Sequence, residues 1–204
     1  MLAKRLFDAV VAIIGLLLLA PFLAAVAIWI KLDSPGPALF QQVRVGRNGR
    51  HFRIKKFRTM HSGSADLGPA ITASGDVRIT RCGAILRKTK IDELPQLWNV
   101  LAGDMSLVGP RPEVPKYVAH YSDQERREIL SLRPGITDPA SLEFIDESQV
   151  LAGAADLEAE YLANVMPRKL QAGRRYVRER TFLRDVGIIL RTLVRVMARE
   201  VSGS

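Results

Sequence analysis

The chain has 204 residues, 30 Lys plus Arg against 21 Asp plus Glu for a formal net charge of +9, and 48% hydrophobic residues. So much apolar content excludes a disordered polybasic tail, and the length suits one domain with a substantial core rather than a repeat array. A single cysteine, Cys82, and three histidines without paired ligand spacing exclude a disulfide framework and a structural zinc site.

Residues 9–30 (AVVAIIGLLLLAPFLAAVAIWI) are 22 consecutive uncharged positions, preceded by Lys4, Arg5 and Asp8 and followed by Lys31. As a straight helix they would just cross roughly 30 Å of hydrocarbon. A cleaved signal peptide fits the basic start and the small Ala25 and Ala27, but the apolar run is long for one and a basic, cysteine-poor remainder is no secreted signature. Pro21 sits mid-run, where it removes a helical hydrogen bond and kinks the chain. A helix–break–helix hairpin could then enter one leaflet and return, and basic residues on both flanks agree with two cytoplasmic ends. Proline also occurs within spanning helices, so the residues alone leave hairpin and span both open.

Residues 33–37 (DSPGP) form a turn-rich exit from this segment. Residues 38–45 and 51–57 alternate apolar and basic side chains around Gly46, Asn48 and Gly49, which predicts a β-hairpin with its apolar face inward and its arginines outward. Residues 60–75 are polar and read as a loop. Helices are expected over 79–87, 93–101, 121–132 and 154–170, with Pro167 near the end of the last, and turns at Gly103-Asp104 and Pro134-Gly135. Residues 181–200 predict an amphipathic helix: Phe182, Val186, Ile189, Leu190, Leu193, Val196 and Met197 share one arc, and Arg184, Arg191, Arg195 and Arg199 the other. That pattern suits either a terminal helix on the core or an interfacial helix on anionic lipid. The fold class is therefore α+β, mostly helical with a small β-hairpin. It divides into an apolar segment over 1–32, a soluble portion over 33–180 and a terminal amphipathic helix over 181–204 that belongs to the same domain.

Charge is segregated along this order. Residues 31–60 carry eight basic residues and one acid, residues 168–199 ten and two, whereas residues 113–160 carry eleven acids and four bases. Basic bands of this kind seek phosphate, whether of nucleic acid, a membrane surface or a small substrate. The densest chemistry lies at residues 87–113 (RKTKIDELPQLWNVLAGDMSLVGPRPE). Asp92-Glu93 at a helix start complements the helix dipole, and adjacent carboxylates can also hold a divalent cation or divide into nucleophile and partner. Arg111, between Pro110 and Pro112, presents a guanidinium fork suited to phosphate oxygens or stands as a surface arginine on a turn.

The segments KRLFD (4–8), FQQVRVGRNGRHFRIKKFRTM (40–60), IDELPQLWNVLAGDMSLVGPRP (91–112) and LRPGIT (132–137) occur together in one order and spacing. On these the chain resembles the bacterial sugar transferases of the monotopic phosphoglycosyl transferase superfamily, in the small form that consists of the catalytic domain alone. The resemblance implies a re-entrant hairpin broken at Pro21 at the cytoplasmic face of a bacterial inner membrane. It also implies transfer of a phosphosugar from a UDP-sugar to polyprenyl phosphate with release of UMP, initiating a glycoconjugate or exopolysaccharide. In that reading Asp92 is the nucleophile and Glu93 assists with Mg²⁺ or with the acceptor's proton, the pair forming the metal site. Arg111, Arg87, Lys56, Arg58 and Arg133 would bind substrate phosphates.

Two departures from the family pattern stand out: Ala20 precedes Pro21 where a serine is common, and residues 138–147 (DPASLEFIDE) replace the usual Gly-Trp-Ala-Gln-Val continuation. The rival reading is a non-enzymatic, membrane-anchored basic module binding acidic lipid or nucleic acid. No nucleic-acid partner is expected, because the chain is 6% aromatic, has no RNP-like aromatics and interleaves few aromatics with its arginines. A retaining glycosidase is excluded because neighbouring residues cannot flank a bond at the roughly 5 Å opposition that chemistry needs.

Overall fold

A computed structural model of the chain describes residues 2–64, 71–72, 75–139, 151, 154 and 156–201. The uncharged N-terminal run folds as helix α1, Leu2–Asp33, which continues through Pro21 without the break expected there. Among the described residues it is the one helix long and apolar enough to cross a membrane. Its two sides differ. Ala12, Leu16, Val26 and Ile30 are buried against the rest of the chain, while Leu6, Leu17, Leu18, Ile28 and Leu32 are exposed.

The strands predicted next form an antiparallel hairpin of β1, Leu39–Val45, and β2, His51–Phe57, in the register Leu39↔Phe57 to Val45↔His51. One expectation is corrected here. Cross-strand partners share a face, and the register sets Arg44 opposite Phe52 and Phe40 opposite Lys56, so Arg44 and Lys56 lie on the same inward face as the buried Phe52 and Ile54. Arg44 is held there by Pro112 O at 3.1 Å and by the Glu113 carboxylate at 3.7 Å.

Helix α2, Arg81–Lys88, starts at Thr80, whose hydroxyl accepts the Gly83 N–H. A 3-10 turn, Ile91–Gln96, leads into α3, Leu97–Ala102, which ends at Gly103 in the left-handed region as the Gly-Asp turn predicts. Two short strands, β3 (Ser106–Val108) and β4 (Gly135–Thr137), pair in parallel. They bracket α4, Pro115–Val118, and α5, Asp123–Ile129, the latter capped by a Ser122–Glu125 capping box. Helices α6 (Leu157–Glu160) and α7 (Met166–Glu179) join through a π-helical stretch, Tyr161–Val165. Pro167 thus lies in the first turn of α7, where its missing N–H costs least, and the helix runs beyond the expected end at residue 170. Helix α8 is Phe182–Val201. Half of the 60–75 loop (65–70 and 73–74) and most of the 138–147 departure (140–147), together with the side chains of Met197 and Arg199, lie outside the described residues.

Three apolar clusters hold the domain. One joins Ala12 and Leu16 of α1 to Phe52 and Ile54 of β2, to α3, β3, Tyr176 and Ile188; a second joins Val26 and Ile30 of α1 to Phe57, Cys82 and Leu86. The third, around Tyr117, Tyr161 and Leu170, lies among the helices that follow β3. At the first cluster α1 also meets α8: the Phe7 and Phe182 rings pack edge to face at 5.1 Å, and Lys4 Nζ lies 2.6 Å from the buried Asp185.

Candidate active site

Local geometry delivers the acidic pair into the cleft. After α2 ends, Lys90 adopts φ 60 in the left-handed region, which turns the chain so that Asp92 and Glu93 occupy the first turn of the 3-10 segment. Pro95 follows within that turn, where it needs no N–H donor partner. The two carboxylates then face β2. Lys56, Arg87, Lys90, Asp92, Glu93 and Arg111 line one broad cleft.

The carboxylates divide sharply in their partners. Glu93 Oε1 accepts from Lys56 Nζ at 3.1 Å and from Arg111 Nη2 at 2.5 Å, and Oε2 accepts from Arg111 Nη1 at 3.2 Å. Burial alone would raise its pKa, but the Arg111 and Lys56 charges and the Arg111 hydrogen bonds hold it well below the usual carboxylate range. Asp92 is buried as well, yet its Oδ1 has no hydrogen-bond partner among the described residues. Burial pushes its pKa up, with Lys56 opposing and the neighbouring Glu93 charge adding to the rise; Lys90 and Arg87 also oppose it. One acid is therefore tied off by a bidentate arginine, and the other is kept desolvated with an oxygen to spare. Burial lowers the pKa of Lys56, and Glu93 counters this.

The remaining expected phosphate ligands separate. Arg87 lines the cleft, its Nε donating to Thr59 Oγ1 at 2.8 Å. Arg58 also borders the cleft, but its guanidinium is turned to the chain. Its five N–H donors go to Pro37 O, Ser34 Oγ, Pro35 O, Ser34 O and Ile30 O at 2.6–3.4 Å, so the buried guanidinium closes the carbonyl end of α1. Arg133 is also displaced from the expected role. It donates through Nε to Gly103 O at 2.8 Å, beyond the far end of α3 from the acidic pair, and is not among the residues lining the cleft. What the LRPGIT segment supplies is backbone: a Cβ on Gly135 would fall 2.1 Å from Gly109 N, so only glycine allows β4 to lie against the strand that carries Pro110-Arg111-Pro112.

Sequence reasoning missed a second polar group beside Arg111. Tyr161 OH donates to Glu113 Oε1 at 2.5 Å, with Arg44 and Lys169 nearby at 3.7 and 3.9 Å. The hairpin register would have found Arg44; nothing in the linear sequence joins Glu113 to Tyr161.

The family model for bacterial sugar transferases matches residues 1–199. The chain belongs to the bacterial sugar transferase family. Among its relatives in that family are the UDP-N-acetylgalactosamine-undecaprenyl-phosphate N-acetylgalactosaminephosphotransferase of Aeromonas hydrophila, 41% identical over 93% of this chain and 42% of that protein. The UDP-glucose:undecaprenyl-phosphate glucose-1-phosphate transferase of Caulobacter vibrioides is 40% identical over 98% of this chain and 71% of its own length. The exopolysaccharide production protein PSS of Rhizobium leguminosarum is 41% identical over 96% of both chains. The chain thus spans less than half of the Aeromonas protein and nearly all of the Rhizobium one.

Proposed function

We propose that this sugar transferase moves a sugar 1-phosphate from a UDP-sugar to undecaprenyl phosphate through an aspartyl phosphosugar intermediate on Asp92, releasing UMP. The observation that carries this is the unpartnered, buried Asp92 Oδ1 beside a Glu93 already fixed by Arg111 and Lys56. Nucleophilic attack needs a carboxylate oxygen free of competing donors and dry enough to be reactive. In the first step an Asp92 oxygen bonds to the sugar-linked phosphorus as the bond to the UMP oxygen breaks. In the second an acceptor phosphate oxygen attacks the same phosphorus and frees Asp92. Each step sets one anion against another, so neutralisation by the surrounding cations dominates the barrier. Lys56, Lys90, Arg87 and Arg111 are the cleft's cations for this, and Glu93 orients two of them.

A divalent cation fits the same oxygens. Asp92 Oδ1 has no partner and Glu93 Oε2 accepts one N–H from Arg111, so both retain lone pairs. Magnesium commonly takes one or two carboxylates and completes its shell with substrate phosphates and water, which suits a pair rather than a larger cluster. When bound it would neutralise charge on the donor's diphosphate.

The acceptor places the reaction at a membrane, and α1 supports a one-leaflet anchor at the cytoplasmic face. Near its start, Arg5 donates to Val100 O at 2.5 Å and Leu101 O at 2.9 Å, and Ser106 donates to Asp8 at 2.7 Å. At its end, Ile30 O and Ser34 receive Arg58. A straight helix of this length extends about 48 Å, and a domain fastened at both ends favours both ends on one side over a span.

The decisive assay incubates the purified protein with Mg²⁺, undecaprenyl phosphate and a panel including UDP-glucose and UDP-N-acetylgalactosamine, the two donors named among the relatives, and follows UMP. UMP release with one donor, abolished in Asp92→Asn, is the expected result. Release with no donor, or undiminished release by Asp92→Asn, would overturn the activity or its nucleophile.

A further inference from the structure

The side chain of Asn99 is used as a single rung of β-sheet. Strand β2 has one hydrogen-bonded neighbour, β1, on one edge. On its other edge Asn99 Nδ2 donates to Arg53 O at 2.8 Å and Asn99 Oδ1 accepts from Lys55 N at 2.9 Å. An amide that donates to residue i and accepts from residue i+2 reproduces the pairing a neighbouring strand would give. Asn99 is buried, with 2% of its surface exposed, and its Nδ2 also lies 3.4 Å from Asp104 Oδ2, so its orientation is fixed.

This rung joins the two halves of the acidic site. Asn99 stands six residues beyond Glu93 on the continuous 3-10 and α3 segment, and it grips β2 at the residue just before Lys56. The ion pair between Lys56 Nζ and Glu93 Oε1 therefore closes a loop: Glu93, down the helix to Asn99, across to Lys55, and back through Lys56. Without the rung, β2 would keep its apolar packing through Phe52, Ile54 and Phe57 but lose its one polar link to α3 beside Lys56.

We infer that Asn99 is a positioning residue for the transfer reaction, one that sets Lys56 over the Asp92-Glu93 pair by holding β2 in register with the helix that carries them. The inference rests on the phosphosugar-transfer reading above. A misplacement of the order of 1 Å at a site of this kind costs up to about 100-fold in rate. Lys56 is one of several cations in the cleft and acts on charge that shifts as the phosphoryl group moves, so the loss should fall on kcat more than on the KM for the UDP-sugar.

The test is a double-mutant cycle on the full-length protein, with Asn99→Leu, Lys56→Met and the two together, read as kcat, KM and Tm. The expected result is a fall in kcat of about 10- to 100-fold in Asn99→Leu with KM for the donor within a factor of about two, and no further fall when Asn99→Leu is added to Lys56→Met. The Tm loss from Asn99→Leu should persist in both backgrounds, which separates register from mere stability. Asn99→Ala, which removes both hydrogen bonds without the bulk of leucine, serves where Asn99→Leu does not fold and should show the same loss of kcat. Unchanged kcat in a destabilised Asn99→Leu, or losses that simply multiply with those of Lys56→Met, would overturn the inference while leaving the activity standing. No turnover by the wild-type protein overturns the activity reading and this one with it.

Discussion

At the scale of single residues, Asp92 and Glu93 are neighbours with opposite energetic signs. Burial raises the Asp92 pKa, so its ionised form opposes folding at neutral pH; Glu93 is held well below the usual range, so its ionised form favours folding there. In metal-free protein, Asp92→Asn should therefore raise Tm while abolishing turnover, by about 2–4 °C for each kcal/mol of relief. Glu93→Gln should do the reverse to stability, because it leaves Lys56 and Arg111 without their shared anion; losing one member of a buried ion pair costs roughly 3–5 kcal/mol. Thermal melts of the two variants beside wild type decide the matter, and a fall in Tm for both would mean that Asp92 is structural. The residue types and spacing made this pair, with Lys56 and Arg111, legible from sequence. The backbone partners of Arg58 and Arg133 are not legible for a physical reason: an arginine among phosphate-seeking neighbours and one that closes a helix end look identical in sequence, and only the position of free carbonyls tells them apart.

At the scale of elements, the parallel pair β3–β4 was not foreseen. Three-residue strands carry no periodicity to read, and the signal was confined to two glycines in separate motifs. Their backbones touch: a Cβ on Gly109 would fall 2.4 Å from Arg133 O, and one on Gly135 2.1 Å from Gly109 N. Gly135→Ala should push β4 off β3 and carry Pro110-Arg111-Pro112 away from Glu93. The expected outcome is a stability loss of about 1–3 kcal/mol by denaturant titration, with a loss of turnover larger than that of a surface control such as Gln124→Ala. The hairpin, by contrast, is legible to within a residue, since alternation over seven positions with a Gly-Arg-Asn-Gly turn is strong patterning. Phe52 and Ile54 face inward and Arg53 outward as expected, and Arg44 is the arginine that departs from the pattern. Counting back from the turn places Arg44 beside Phe52, and a partner carboxylate, Glu113, makes the inward position tolerable.

For the whole molecule, the question is how an apolar helix and a basic domain share one surface. The exposed apolar residues of α1 are accompanied by Trp98 on α3, Ile85 on α2, and Leu183, Leu190, Leu193 and Val194 on α8. These belong to different elements and were not visible together in the sequence, although the α8 pattern was. Tryptophan at such a margin suits the headgroup layer. Topology can be tested directly, because the native Cys82 is buried and leaves introduced thiols to report alone. Cysteines placed at Ala3 and Gln41, both exposed, should react with a membrane-impermeant maleimide from the same, cytoplasmic side. Labelling from opposite faces would make α1 a true span.

The grip of the domain on α1 also governs how that helix tolerates change. Its outer stripe, Leu6, Leu17, Leu18, Ile28 and Leu32, meets a surrounding that distinguishes little among apolar side chains, so these positions should exchange freely for one another's types. Its inner stripe is read by neighbours of fixed shape: Gly15 lies against Leu97, Asp8 against Ser106, and the last carbonyls against Arg58. A generic apolar helix of equal length would satisfy the first set of demands and none of the second. Helix α1 is thus specified on one side by apolar composition alone and on the other by an individual partner surface.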